Sequence, residues 1–176
     1  MPNFPPGTGQ AVAPAVTPTW VFTPTPSVKS PSIRLFNTGT TYPVYVGGAD
    51  VTQFNGLPIY PGNKPVEFQV MPTTIYACSA AQRNTNATGT LASATTAGTT
   101  AITLAAAVPA GLAAGTTILI GSTANTSSME ANVVNSTTAS SQLTFLNPLL
   151  YDHASATVVY TATLNTGSLS INAGAS

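Results

Sequence analysis

Residues 32–48 read SIRLFNTGTTYPVYVGG. Ile33 and Leu35 alternate with Arg34 and Phe36, and a repeat of two sends successive side chains to opposite faces of an extended chain. The string NTGTTYP that follows is turn chemistry, and PVYVGG resumes the extended pattern. The same signature returns where Val66, Phe68 and Val70 alternate with Glu67 and Gln69, as in a strand with one buried face. Between these come ADVT (49–52) and the turn-rich NGLPIYPGNKP (55–65), and TTIYACSA (73–80) completes a run of short strands. Gly47-Gly48, Asn55-Gly56 and Pro61-Gly62 supply turn residues at the intervals. Residues 32–80 therefore read as a small β-module. At about fifty residues it lies near the lower limit for folding alone, so it is expected to lean on neighbours.

Toward the C-terminus, residues 81–98 are low-complexity Ala, Thr, Gly, Ser and Asn and read as a linker. A second β-module is expected over residues 99–176, with short strands at AITL, TTILIG, EANVVNS, QLTFLN and ATVVYTATL. The stretch AAAVPAGLAAG (105–115) is Ala-rich, but Pro109, Gly111 and Gly115 predict a turn rather than a helix. The tail from Thr166 reads as a last edge strand or a fraying end.

Toward the N-terminus, proline stands at positions 2, 5, 6, 14, 18, 24, 26 and 31. That density predicts an extended, polyproline-like arm over residues 1–31. The arm also carries apolar side chains, which a solvated linker lacks. Phe4, Trp20, Val21 and Phe22 are therefore the expected anchors for a partner. The fold class expected from the whole chain is all-β, a Pro-rich extended N-terminal arm followed by two small β-sandwich or β-barrel-like modules.

Composition narrows the function. Charged residues make up 5% of the 176, against about 25% in an ordinary soluble domain. The net charge is zero and only four residues are Lys or Arg, too few to track a nucleic-acid backbone. No apolar run reaches the ~18 residues of a membrane span. A surface so poor in charge suits a protein that spends it on contacts within an assembly. The start of the chain shows neither a basic segment nor an apolar one behind it, so no secretory signal is expected. Asn86, Asn125 and Asn135 begin glycosylation sequons, matches that a chain rich in Asn, Ser and Thr produces by chance.

PPGTGQ (5–10) lies one letter from a phosphate-binding PPGTGK loop. Gln10 stands where the lysine would contact phosphate and Ala11 where a hydroxyl would hold magnesium. The prolines downstream also forbid the helix that the loop would need. Catalytic groups are scarce. His153 is the single histidine, and its neighbour Asp152 would point to the opposite face of an extended chain. Asp50, Glu67, Glu130 and Asp152 are the side-chain carboxylates, with no spacing that gathers them as a glycosidase pair or a calcium loop. Cys78 is alone, which leaves no intrachain disulfide and no cysteine metal site. Thus no catalytic, cofactor-binding or metal residues are expected, and no cofactor. Tyr42, Tyr45, Tyr60 and Trp20 are the aromatics from which a sugar-binding surface would be assembled, though the sequence gives them no constellation.

The stretch IRLFNTGTTYPVYVGGADVTQFNGLPIYPGNKPVEFQV (33–70) resembles a β-module that recurs in structural proteins of tailed bacteriophages. There a strand ends in N-T-G-T and is followed by V-Y-V-G-G, D/N-V-T, N-G-x-P and P-G. The second run is similar to a module of phage capsid and fibre proteins, with a G-x-x-I strand, a lone Glu and a closing PL…H segment. The resemblance implies a non-enzymatic virion component. It would be made in the host cytoplasm and placed on the capsid surface as a decoration (cement) protein. Its implied partners are the major capsid protein and copies of itself, a trimer being one arrangement, with no nucleic acid and no membrane. The alternatives are a tail, fibre, baseplate or neck protein, and a surface carbohydrate-binding module.

Overall fold

In a computed structural model, residues 9–12, 14–22, 31–69, 74–122 and 125–175 are described. Among them all regular structure is strand, so the chain is all-β. The chain divides into two compact units, one built from residues 1–80 and 166–176 and the other from residues 81–165.

In the first unit, one sheet joins β1 (Gly9–Val12), β13 (Leu169–Ala175), β3 (Pro31–Asn37) and β6 (Val66–Gln69), in that order. The other joins β5 (Leu57–Ile59), β4 (Val44–Gly47), β7 (Ile75–Thr90, through Ala80) and β2 (Thr19–Phe22). Ile33, Leu35, Leu169 and Ile171 from one sheet meet Val44, Val46, Ile59 and Ala77 from the other in a single core. The alternation read in SIRLFN is realised, with Ile33 and Leu35 fully buried and Arg34 exposed.

The turns explain the motif residues. At the end of β3, Asn37 is buried and its Nδ2 donates to the carbonyls of Tyr42 at 2.7 Å and Ile59 at 2.9 Å. Its Oδ1 accepts from the Gly39 N–H at 2.8 Å, and a Cβ on Gly39 would stand 2.9 Å from that oxygen. ADVT is a turn rather than a strand. Asn55 Oδ1 accepts from the Thr52 N–H at 2.6 Å while Asn55 Nδ2 donates to the Asp50 carbonyl at 3.1 Å, folding the chain back so that LPI becomes β5.

Two expectations change here. The described parts of residues 1–31 are not an independent arm. Between Pro6 and Pro14, and between Pro18 and Pro24, lie windows free of proline that keep every N–H needed for a ladder. They supply β1, antiparallel to β13, and β2, antiparallel to β7. The tail is likewise neither an edge strand nor a frayed end. β13 is flanked on both sides, by β1 and β3, and it belongs to the first unit rather than to a module over residues 99–176.

Ser79 fastens this arrangement. Its hydroxyl donates to the Pro14 carbonyl at 2.5 Å and accepts from the Gly167 N–H at 3.2 Å, while its own N–H donates to Ala15 at 2.7 Å. Ser79 is 1% exposed, so Ser79→Ala leaves two buried groups unpaired. The expected loss is about 1–3 kcal/mol of unfolding free energy, read as a lower urea midpoint at constant slope.

In the second unit, the sheet runs from β7 (residues 81–90) through β12 (Val158–Asn165), β9 (Thr117–Ser122), β10 (Asn125–Ala139) and β11 (Gln142–Phe145) to β8 (Ala101–Thr103). It then closes on itself. Leu91 bridges Leu104, the Ala92 N–H donates to Thr103 at 2.9 Å, and the Ala105 N–H donates to Thr90 at 2.8 Å. The closed sheet wraps a core that includes Ile118, Ile120, Val134, Leu143 and Val159, all fully buried. The stretch read as a linker over residues 81–98 enters this barrel, with strand to Thr90 and the remainder bonded across to residues 149–153. Thr is strand-forming wherever a neighbouring strand is available, which low complexity alone does not reveal. Pro109 and Gly115 lie in non-helical chain, and Gly115 adopts a φ of 87°.

Candidate functional site

Two constellations emerge, one in each unit. The first is a row of aromatic rings. In the first unit, Val44, Val46, Ile75 and Ala77 point into the core, so the residues between them lie on the opposite face. The ladder sets Trp20 of β2 against Tyr76 of β7, Tyr76 against Gly47 of β4, and Tyr45 of β4 against both Cys78 of β7 and Pro58 of β5. Tyr60, one residue past β5, follows the alternation onto the same face. Trp20, Tyr76, Tyr45 and Tyr60 thus step diagonally across four adjacent strands. Three inter-strand spacings and four residues of offset give a row about 20 Å long. Trp20, Tyr45 and Tyr76 are half-buried and Tyr60 is 51% exposed.

Burial, then the nearby Tyr60 and Cys78, raise the Tyr45 phenol above its usual range, so it stays a neutral hydroxyl at any ordinary pH. Cys78 is fully buried beneath this face, and desolvation pushes its thiol up to about 12. The reactive species is the thiolate, so Cys78 is expected to resist a thiol-specific alkylating agent at pH 8.5 until the chain unfolds. The linkage has a definite sign. The unfolded thiol ionises near its ordinary 9.0 and the folded one only near 12. Stability is complete below the first value and declines as pH rises between the two, by up to about 1.4 kcal/mol per pH unit. Urea midpoints measured at pH 8, 9.5 and 10.5 for this chain and for Cys78→Ala test this, because the difference should shrink as pH rises.

The second constellation is the buried pair Glu130–His153. Glu130 and Asn132 lie on one side of β10 and both hold the loop after β11. Asn132 Nδ2 donates to the Asn147 carbonyl at 2.9 Å. The Glu130 carboxylate accepts from the Leu150 N–H at 2.7 Å, from the Tyr151 N–H at 3.2 Å, and from His153 Nε2 at 2.8 Å. The carboxylate oxygens serve here as acceptors, which leaves the donor's part to His153 and places its imidazole proton on Nε2. His153 in turn exchanges backbone bonds with Thr95 at 2.8 and 3.0 Å. The neighbouring Asp152 turns the other way and accepts from the Ala97 N–H at 2.7 Å. Thr95 Oγ1 is buried without a hydrogen-bond partner. With side-chain exposures of 2% for His153 and 1% for Glu130, the pair braces a loop and offers no face to a substrate.

Two cavities show no titratable side chain among their described lining residues. One of about 340 Å³ opens among Val46, Leu57, Phe68 and Ile75 in the first unit. One of about 350 Å³ lies among Val108, Leu112 and Thr137 in the second. Among the described residues, no group of three or more His, Cys, Asp or Glu is placed to hold a metal ion. No helix there is long and apolar enough to cross a membrane.

The expected anchors are dispersed. Val21 is 1% exposed in the core of its own unit, Phe22 packs against that core, and Trp20 lies on the opposite face. Phe4 lies outside the described residues. Sequence reading missed Tyr76, whose place in the row depends on which strand flanks β7. It named Glu130 and His153 but not their pairing across 23 residues. No family model matches the chain, and no curated protein matches its sequence.

Proposed function

We propose that the chain is a non-enzymatic structural protein of a tailed-bacteriophage particle. In this reading it binds the outside of the capsid as a decoration protein, with the major capsid protein and further copies of itself as partners. One observation carries the reading. The residues that give the two stretches their likeness to phage modules are the ones that staple the loops. Asn37, Gly39, Thr52 and Asn55 fasten the turns of the first unit, and Glu130 and His153 brace the second. A module recognised by its turn chemistry is selected for shape, which suits a shell component. The low charge of the chain supports the same reading, since uncharged surface is what repeated protein contact covers. Val21 and Phe22 belong to the core, so a strap built on them is no part of the proposal.

Quantitative mass spectrometry of purified particles tests it. A copy number of the same order as the major capsid protein is expected. A handful of copies would move the chain to the neck, tail, baseplate or fibre, and absence from the particle would end the virion reading.

A further inference from the structure

We propose that the row Trp20–Tyr76–Tyr45–Tyr60 is a binding shelf for a neutral, extended oligosaccharide. The inference stands on the first unit alone and does not depend on where the protein resides. Its first support is the register, which sets Trp20, Tyr76 and Tyr45 one strand apart on a single sheet face, with Tyr60 beside Tyr45 just past the end of β5. Three of them are half-buried, so they are held by their surroundings while still presenting a surface. Rigid aromatic bodies with a polar tip suit a ligand that has both an apolar side and hydroxyls. A pyranose is such a ligand, since its axial C–H groups form one apolar side and its hydroxyls ring the edge. A chain of them repeats along a line, as the row does.

Charge supplies the second support. The ladder partners of the row are Gly47, Pro58, Cys78 and the rings themselves, none of them Asp, Glu, Lys or Arg. Arg34 and Glu67 pair with each other at 3.3 Å on the other sheet. Among the described residues the ladder sets no charged side chain beside a ring of the row, so the fitting ligand is uncharged. Area supplies the third. A Trp or Tyr side chain offers roughly 150–250 Å² in full, and these are at most about half exposed, leaving no more than about 400 Å². A stable protein contact buries about 800 Å² on each side. The row is too small for a second folded protein and of a size for a few sugar rings.

Trp20 is the single tryptophan, so its emission reports the shelf directly. The full chain is titrated with hexasaccharides of β-1,4-linked glucose, N-acetylglucosamine and mannose, with a hyaluronan hexasaccharide as the anionic control. A saturable shift in emission with at least one neutral sugar is expected, together with a loss of about tenfold or more in affinity in Tyr60→Ala and Tyr45→Ala. Tyr60 lies half-exposed outside the ladder, so its variant keeps the fold, which a matching urea midpoint checks. No saturable change with any neutral sugar up to about 10 mM would overturn the proposal, as would unchanged affinity in both variants. Self-association in sedimentation that Tyr60→Ala abolishes would assign the face to a second copy and overturn it equally.

Discussion

Replacing Glu130 by alanine is expected to cost about 3–5 kcal/mol of unfolding free energy, among the largest effects of any single substitution in the second unit. The carboxylate serves three donors, the Leu150 and Tyr151 N–H groups and His153 Nε2, and its side chain is 1% exposed. Alanine leaves all three without an acceptor where water does not reach. A buried donor left unpaired costs far more than a made hydrogen bond contributes. His153→Ala should cost less, about 1–3 kcal/mol, because the carboxylate keeps its two backbone donors. Urea midpoints of both variants and of the double variant check the argument. The double variant should lose less than the two singles together, since each removes the same contact. A Glu130→Ala loss below about 1 kcal/mol would mean that the loop is held by its backbone bonds alone.

Gly121→Ala is expected to cost about 3 kcal/mol or more. Gly121 lies in β9 with φ at 139°, a backbone conformation that a residue with a Cβ resists. A Cβ would also stand 2.6 Å from Met129 Cγ and 2.9 Å from Met129 Cα. The second distance is to backbone, so no rotamer change relieves it. The site coincides with the break in register between β9 and β10, where pairing resumes at Glu130. The strain would therefore reach the strand that carries the carboxylate. Gly98→Ala is the control. Its φ is 86° but nothing lies within 4 Å of a Cβ there, so only the backbone term, about 1 kcal/mol, should appear. Thermal melts of the two variants separate steric from conformational cost, and equal losses would refute the separation.

What could be read in advance follows from how far each signal reaches along the chain. The alternation at Ile33–Leu35 and the turn residues Asn37, Gly39 and Asn55 are local, and they identified strands and turns correctly. The destination of a strand is not local. GQAV (9–12) and LSINAGA (169–175) become neighbours only because each completes the other's hydrogen bonds. A sequence window shows only their weak alternation. The same holds for the functional surfaces. Asp152 is adjacent to His153 in sequence, and extended chain turns the two side chains apart, which a sequence window does show. The true partner, Glu130, arrives from another strand. Trp20 and Tyr76 were visible as aromatic residues. The register between β2 and β7 is what makes them part of a row; alternation turns Val21 into the core, and a bulge between Trp20 and Phe22 brings Phe22 to the same side.

The position of β13 also fixes an order of events during synthesis. It lies between β1 and β3, both of which leave the ribosome long before it does. Residues 81–165 are contiguous and can complete their barrel as they emerge, since domains fold as units while the chain is being made. The first unit cannot. Until β13 arrives, β1 lacks its neighbour and one side of β3 stands unpaired, a template open to any other strand. Strands β1 and β3 are thus sealed only after the barrel that follows them in sequence has been made, and their exposure in the cell lasts as long as translation of everything between.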